Sequence, residues 1–528
     1  MKEKFYITTS IAYANGEPHI GFALEVIQAD VIARYRRIQG RDVFFLSGTD
    51  EHGAKVSRAA SSAKMSVREF VDGISGKFNK LLSELNISNN DFIRTSDEKR
   101  HFPGVSEIWK RLERSGDIYK ASYKGLYCVG HEAFITEKDL VDGKCQDHAK
   151  EPEVIEEENY FFRLSRYGDK IKQTISSGEL KIFPESRKNE ILSFLGKGLE
   201  DVSFSRPSKD IPWGIPVPGD PTQTMYVWCD ALSNYITALG FGTQWTEISA
   251  DDGSASGREK FWPADLHVIG KDILRFHAAI WPGMLLSSGL PLPKSIFAHG
   301  FITVGGRKMS KTLGNIVDPF DLIERFGADA LRYYLLREVP VFEDGDFTED
   351  KFLSAYNDNL AKGLGNYISR TSKMVENYFS GTISKPDPKR ISEVPFKTTM
   401  NALNLEGSGN IEAFGVEYFI LNFIRPKFEE HMENFRFSEA LDTVWVLLGK
   451  LDGYIQTYEP FKLIKTDRLK TEVVLWEASL GALYVASMIA PFMPQTSEKI
   501  FKIFTASEDP KNWNSIKIFP HASLFPRK

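Results

Sequence analysis

The sequence predicts an α/β fold: a Rossmann-like parallel sheet, interrupted by an insertion and followed by an α-helical bundle. Three observations predict it. Residues 1–115 alternate β-rich runs with amphipathic helical patterns, as a parallel sheet covered by helices requires. Residues 116–223 are richer in Gly, Tyr, Cys and short strand-like runs, and the alternation then resumes over 224–347. From 348 to 528 long apolar-periodic helices dominate, Ala440–Leu451 and Val473–Ile489 among them.

The first strand is the apolar run Phe5–Ile11. After Ala14-Asn15-Gly16-Glu17-Pro18-His19-Ile20-Gly21-Phe22 an amphipathic helix carries Ala23, Leu24, Ile27, Val31 and Ile32 on one face and stops near Gly40. His19 and Gly21 thus fall at a strand-to-helix junction, where free N–H groups and the helix dipole favour a phosphate. Gly21 has no side chain to keep a ribose or base away. Late in the chain, Gly305-Gly306-Arg307-Lys308-Met309-Ser310-Lys311-Thr312 joins paired glycines to two lysines three apart. Such a loop can close over a polyphosphate, with backbone N–H groups and two ammonium charges converging on its oxygens. In the insertion, Cys128-x-x-His131 and Cys145-x-x-His148 match the ligand types and spacing of a closed, structural Zn²⁺ site; the alternative is a knuckle that has lost its metal. Gly381–Gly415, with its Pro, Ser, Asn and Gly, reads as a long surface connection.

At 528 residues the chain has length for several domains, and 42% hydrophobic with 26% charged residues is ordinary globular composition. The net charge of −5 excludes a global positive field, so any nucleic acid would be held by local patches. Three cysteines give no disulfide framework and fit a reducing compartment. No signal-peptide pattern and no membrane-length apolar run is evident, so the cytoplasm is expected and no membrane partner. A monomer is the economical expectation.

The His19-x-Gly21 and Lys308-Met309-Ser310-Lys311 pair resembles the two signatures of class I aminoacyl-tRNA synthetases. The resemblance narrows to the methionyl-tRNA synthetase family through Tyr13–Gly16, Gly48–Gly53, Glu156–Leu164, Tyr226–Ala231 and Ile269–His277 with Trp281-Pro282, in the family's order. It implies methionine activation with ATP and Mg²⁺, then transfer to the 3′ end of methionine tRNA, with no protein nucleophile. It assigns the methionine amino group and backbone to Ser10, Ile11, Tyr13 and Asp50. The side-chain pocket would be Trp228, Ala231, Tyr235, Ile273, Phe276, His277 and Trp281; aromatic walls suit a polarizable thioether. ATP would meet His19, Gly21 and Phe22, with Gly270 and Asp272 on the ribose and His299, Gly300 and Ile302 at adenine. Lys308 and Lys311 would neutralise the leaving pyrophosphate, so His19, Gly21, Lys308 and Lys311 form the implied catalytic set. The helical part would read a CAU anticodon with Asn366, Arg370, Pro460 and Phe461.

Phe22 departs from the family, which usually has histidine there. A phenyl ring cannot donate to a developing phosphate charge, and losing one such donor typically costs about 2.7–4 kcal/mol. Compensation by neighbours is the expectation, with Phe22→His giving unchanged or faster activation. Two other readings stay open: a class I synthetase for another amino acid, and a non-catalytic tRNA-binding paralogue. Methionine-dependent ATP–pyrophosphate exchange separates all three.

Overall fold

The computed structural model describes residues 2–128, 133–135, 140–146, 150–245, 257–309, 314–399, 410–504 and 513–528. They form two compact units, Met1–Ser83 with Ile87–Gly300, and Glu84–Asn86 with Phe301–Lys528.

The first unit is built on a seven-stranded sheet: β1 (Lys4–Thr9), β2 (Ala12–Tyr13), β3 (Asp42–Asp50), β4 (Asp91–Arg94), β5 (Lys181–Phe183), β6 (Leu266–Gly270) and β7 (Ser295–His299). The order is β5-β7-β6-β1-β3, with β2 and β4 both on β3, and every pairing is parallel. β1 is central, with Ile7 opposite Leu266 on one side and Phe45 on the other. Central parallel strands are covered on both faces and read as continuous apolar runs, which is why Phe5–Ile7 and Val43–Leu46 are buried throughout.

Helix α1 (Ile20–Ile38) follows β2. Its expected stop is close, since Gly40 takes a positive φ of 86° just beyond Gln39. Its burial is wider than one face: Glu25, Gln28 and Asp30 are buried as well. Gly48 on β3 has a packing reason, because a Cβ there would lie 2.2 Å from the Ile93 carbonyl oxygen on β4.

Within 116–223, strand Ile118–Cys128 runs antiparallel to Glu153–Phe162 in a separate four-stranded sheet. That stretch is not structurally self-contained. β5, three residues of it, is the edge strand of the large sheet beside β7. Two short helices, α2 (Val227–Leu232) and α3 (Asn234–Thr237), then precede β6. A π-helical turn over Phe276–Ile280 runs directly into α4 (Trp281–Ser287).

The second unit is mainly helical, with α5 (Asn366–Phe379), α6 (Phe437–Tyr458) and α7 (Arg468–Ile489) as its long members. α7 corrects the expectation that no apolar run reaches membrane length: its 18-residue window has mean hydropathy 1.4, but 89% of it is buried. It is a core helix of this unit. The described residues of 381–415 also carry more regular structure than their composition suggests. They form strand Thr382–Ser384, a helical turn Pro388–Ile391 and the hairpin Phe396–Thr399 with Asn410–Ala413, anchored by the buried Ile383, Val394, Phe396 and Ala413.

Candidate active site

The carboxyl ends of β1, β3, β6 and β7 bring together Ser10, Asp50, Gly270 and His299, because each is the last residue of its strand or the one after it. In an open parallel sheet this edge is where ligands bind, above all where strand order reverses. β1 lies at that reversal, continuing to β3 on one side and paired with β6 on the other.

His19 is the N-cap of α1. Its Nδ1 accepts the Gly21 N–H at 3.0 Å. An accepting Nδ1 leaves the proton of the neutral ring on Nε2, and burial holds the His19 pKa below its ordinary value. The residue is therefore a neutral donor with a fixed tautomer at neutral pH. Phe22, one turn into α1, is 9% exposed and packs edge-on against Phe78 with centroids 4.8 Å apart. Its ring belongs to the core, and its place in the signature is taken up by packing.

Glu25, which the sequence reading missed, links two expected site residues. Ser10 Oγ donates to Oε1 at 2.6 Å, and His299 Nε2 lies 3.0 Å from Oε2. His299 Nδ1 faces the Gly300 carbonyl at 2.7 Å. Both ring nitrogens meet oxygen acceptors, which favours the imidazolium. Burial opposes that charge, yet Glu25, the Gly300 carbonyl and Asp272 outweigh it and the His299 pKa is raised.

The aromatic residues assigned to the side-chain pocket do come together. Trp228 on α2 stacks on Phe276 at 3.7 Å with an 8° interplanar angle. Beneath them lies a polar but uncharged network. His277 Nδ1 donates to the Ile273 carbonyl at 3.0 Å, so Nε2 is the acceptor for the Tyr235 hydroxyl at 2.6 Å. His267 Nε2 accepts from Trp281 Nε1 at 3.3 Å, which leaves Nδ1–H for Thr8 Oγ1 at 2.7 Å. Burial pushes the His277 pKa down to about 4 and that of His267 well below the ordinary range. Ala231 is buried on the same short helix as Trp228, so the helical spacing of Trp228, Ala231 and Tyr235 spans α2 and α3.

Asp50 is 8% exposed at the end of β3, paired in register with Tyr13. The next residues anchor it. Glu51 is fully buried and takes Arg94 through both carboxylate oxygens, at 2.7 and 2.9 Å. His52 Nδ1 meets Asp230 Oδ2 at 2.6 Å, and His101 Nε2 meets Asp230 Oδ1 at 2.7 Å. Burial raises the Asp230 pKa, but the two imidazoles more than offset it and the net shift is downward. Asp230 sits on α2 with Trp228, so this ion ties the end of β3 to the pocket wall. An acidic residue in an otherwise apolar segment was the signal available for Asp230 and for Glu25, whereas His52 stands in the polar run Gly48–Gly53 and carried none.

Ile302 and Lys308 fall in the second unit. Lys308 is on strand Arg307–Lys308, antiparallel to Ile302–Val304. The root of its loop is pinned: Asp346 accepts the Gly306 N–H and the Thr303 hydroxyl, each at 2.8 Å, and the Gly306 N–H lowers its pKa. Lys311 lies outside the described residues. In the helical unit Asn366 and Phe461 are exposed and Pro460 is buried. Arg370, expected to face the anticodon with Asn366, donates to Asp452 at 2.8 Å. Cys128 and Cys145 are both buried, in one small cluster with Ile135, and neither forms a disulfide. Paired thiols fit half of a tetrahedral zinc set. His131 and His148 lie outside the described residues, and among those described no group of three or more metal-binding side chains occurs.

Known proteins match this arrangement. The family description "tRNA synthetases class I (M)" matches residues 5–151 and 135–372. A methionine–tRNA ligase of Caldanaerobacter subterraneus subsp. tengcongensis is 43% identical over 98% of this chain and 76% of its own length. One from Brucella melitensis biotype 1 is 40% identical, covering 99% of this chain and 95% of its own. The structure of Mycobacterium tuberculosis methionyl-tRNA synthetase in complex with methionyl-adenylate superposes with a TM-score of 0.87 at 36% identity, over 99% of this chain and all of that one. With the parallel-sheet site and the helical second unit, these likenesses are decisive: the chain belongs to the methionine–tRNA ligases, class I aminoacyl-tRNA synthetases.

Proposed function

We propose that the first unit activates L-methionine with ATP as methionyl-adenylate, and that the methionyl group then passes to the 3′ end of a methionine tRNA. The observation that carries the residue assignment is the uncharged, fully partnered floor under Trp228 and Phe276. A neutral thioether gains from such a floor, whereas a polar or charged side chain would be stranded on it. Asp50, with Ser10, Ile11 and Tyr13, would hold the ammonium end. Methionine carboxylate attacks the α-phosphorus, and catalysis is positioning plus charge stabilisation. His19 donates from Nε2; Gly21 and Phe22 form the turn beside the nucleotide. Asp272 and Gly270 would take the ribose, and His299 and Gly300 the adenine, with Ile302 assigned to it by the family motif alone. Lys308 and Lys311, assigned by their motif, would neutralise pyrophosphate, with Mg²⁺ supplying further charge at the phosphates.

Asn366, Arg370, Pro460 and Phe461 would read the CAU anticodon. An exposed Phe461 supports stacking on a base, while the Arg370–Asp452 pair supports a pre-positioned guanidinium. Cys128 and Cys145, with His131 and His148, would hold a structural Zn²⁺; metal analysis should return about one equivalent, and less than about a tenth rejects the site. A cytoplasmic monomer completes the reading. The test is charging of tRNA transcripts with labelled methionine: a CAU transcript is charged and one with an altered anticodon is not. Equal charging of both rejects the anticodon assignment.

A further inference from the structure

The helical unit contains a cavity of about 270 Å³ that no part of this reaction uses. Its floor is on α7. Trp476 is 1% exposed, and its indole Nε1–H has no hydrogen-bond partner among the described residues. Glu477 is equally buried, and the Val416 N–H, donating to Oε2, is the one hydrogen bond its carboxyl receives among them. The backbone is fitted to this carboxylate: Gly415 has φ +99°, and a Cβ there would lie 2.9 Å from Oε2. Phe414, Tyr418 and Trp513 supply aromatic walls, with Phe414 72% and Tyr418 50% exposed at the mouth, and Lys385 lines the same opening.

The Trp476 N–H is a buried donor left open, which is costly, and Glu477 Oε1, on the next residue and lining the same cavity, takes no hydrogen bond from the described residues. Glu477 costs stability in a definite way. Burial raises its pKa to about 7, so the folded chain holds a proton that the unfolded chain releases near 4.5, and stability falls as pH rises between the two. A glutamine would accept the same Val416 N–H without that loss, so packing alone does not account for the carboxylate.

Donor, acceptor and aromatic faces together describe the ligand. We propose that this cavity binds one unstacked, amino-bearing nucleobase, cytosine or adenine, of an RNA strand. The exocyclic amino group donates to Glu477 Oε1, a ring acceptor takes the Trp476 N–H, the aromatic walls stack on the base, and Lys385 meets the adjoining phosphate. This site is separate from Asn366, Arg370, Pro460 and Phe461, and it rests only on membership of a tRNA-charging family.

The test is anisotropy of labelled tetracytidylate and tetrauridylate on the full chain. Wild type should bind tetracytidylate at least fivefold more tightly than tetrauridylate. Trp476→Phe should lose most of that affinity without changing methionine-dependent pyrophosphate exchange, and an unchanged helical circular-dichroism signal and urea midpoint show that the helical unit still folds. In Glu477→Gln the oxygen keeps the Val416 N–H and the amide NH₂ replaces Oε1 in the cavity. The acceptor becomes a donor that opposes the exocyclic amino group, and the preference for tetracytidylate should be lost. Binding by wild type should weaken as pH falls below about 7 and stay flat in Glu477→Gln; Glu417, Lys385 and Tyr454 also face this carboxyl electrostatically and are present in both. Equal affinity of wild type for the two oligonucleotides, or an undiminished tetracytidylate preference in Glu477→Gln, overturns the proposal. So does binding of agmatine in place of tetracytidylate, which would assign the cavity to a cationic side chain.

Discussion

Beside the single His299, two pairs of histidines are buried in the first unit, and the partners they meet are opposites. His267 and His277 are partnered by Thr8, Trp281, Tyr235 and a carbonyl, and burial keeps both neutral. His52 and His101 converge instead on the ionised Asp230. The first group lies under the aromatic pocket and the second beside the Asp50 strand end. Burial alone therefore does not decide charge: Asp230 stays ionised because of the imidazoles it meets. A site for a zwitterion with an apolar tail needs both kinds, a charged anchor at one end and an uncharged floor at the other.

The strongest way to break this comparison is at the ion. Asp230→Asn removes the charge that both imidazoles face, and breaking a buried pair from one side costs about 3 kcal/mol or more. Urea denaturation should show that loss in the first unit, whereas a change below about 1 kcal/mol would mean that the two histidines hold Asp230 without ionic character. The uncharged floor answers to acid. The folded His277 pKa is depressed to about 4, so between the unfolded value near 6.5 and 4 the unfolded chain takes up a proton that the folded chain refuses. Stability is present above this window and falls as pH drops through it, by about 3 kcal/mol from this group. The stability lost between about pH 6.5 and 4 should be smaller by that amount in His277→Gln, and an unchanged loss would show that His277 is not the titrating group. Tyr235→Phe leaves His277 Nε2 without its donor, a cost of about 1–2 kcal/mol. The methionine KM in pyrophosphate exchange should rise about tenfold with the ATP KM unchanged; equal rises in both would place Tyr235 outside the methionine end. Phe22→His is expected to have the smallest effect, within about threefold on exchange, because the ring is committed to Phe78. A tenfold gain would show that the imidazole reaches the phosphates after all.

Much of this was legible in the sequence because it is local. The β-branched first strand, the His19 cap two residues before Gly21 and the aromatic spacing on α2 and α3 each lie within a few residues of one another. What was hidden depends on partners far along the chain. Glu25 becomes a link only when β7 brings His299 to it, 274 residues away, and Asp230 becomes an anchor only across 178 residues to His52. β5 was hidden for another reason: three residues, Lys181–Phe183, carry too little pattern to show that they join a sheet whose other strands lie outside 116–223. Within 381–415 the Pro and Gly content concealed a hairpin whose register is set by burial of Phe396 and Ala413. The partner of Arg370 was hidden too, because Asp452 is on another helix.

The account stands most directly on methionine-dependent ATP–pyrophosphate exchange by the wild-type chain. It predicts exchange with methionine, and at least a hundredfold lower kcat/KM with leucine, isoleucine, valine or cysteine, since a buried neutral floor and aromatic walls discriminate by about 3 kcal/mol. Exchange supported equally by one of those amino acids, or by none at all, would contradict it.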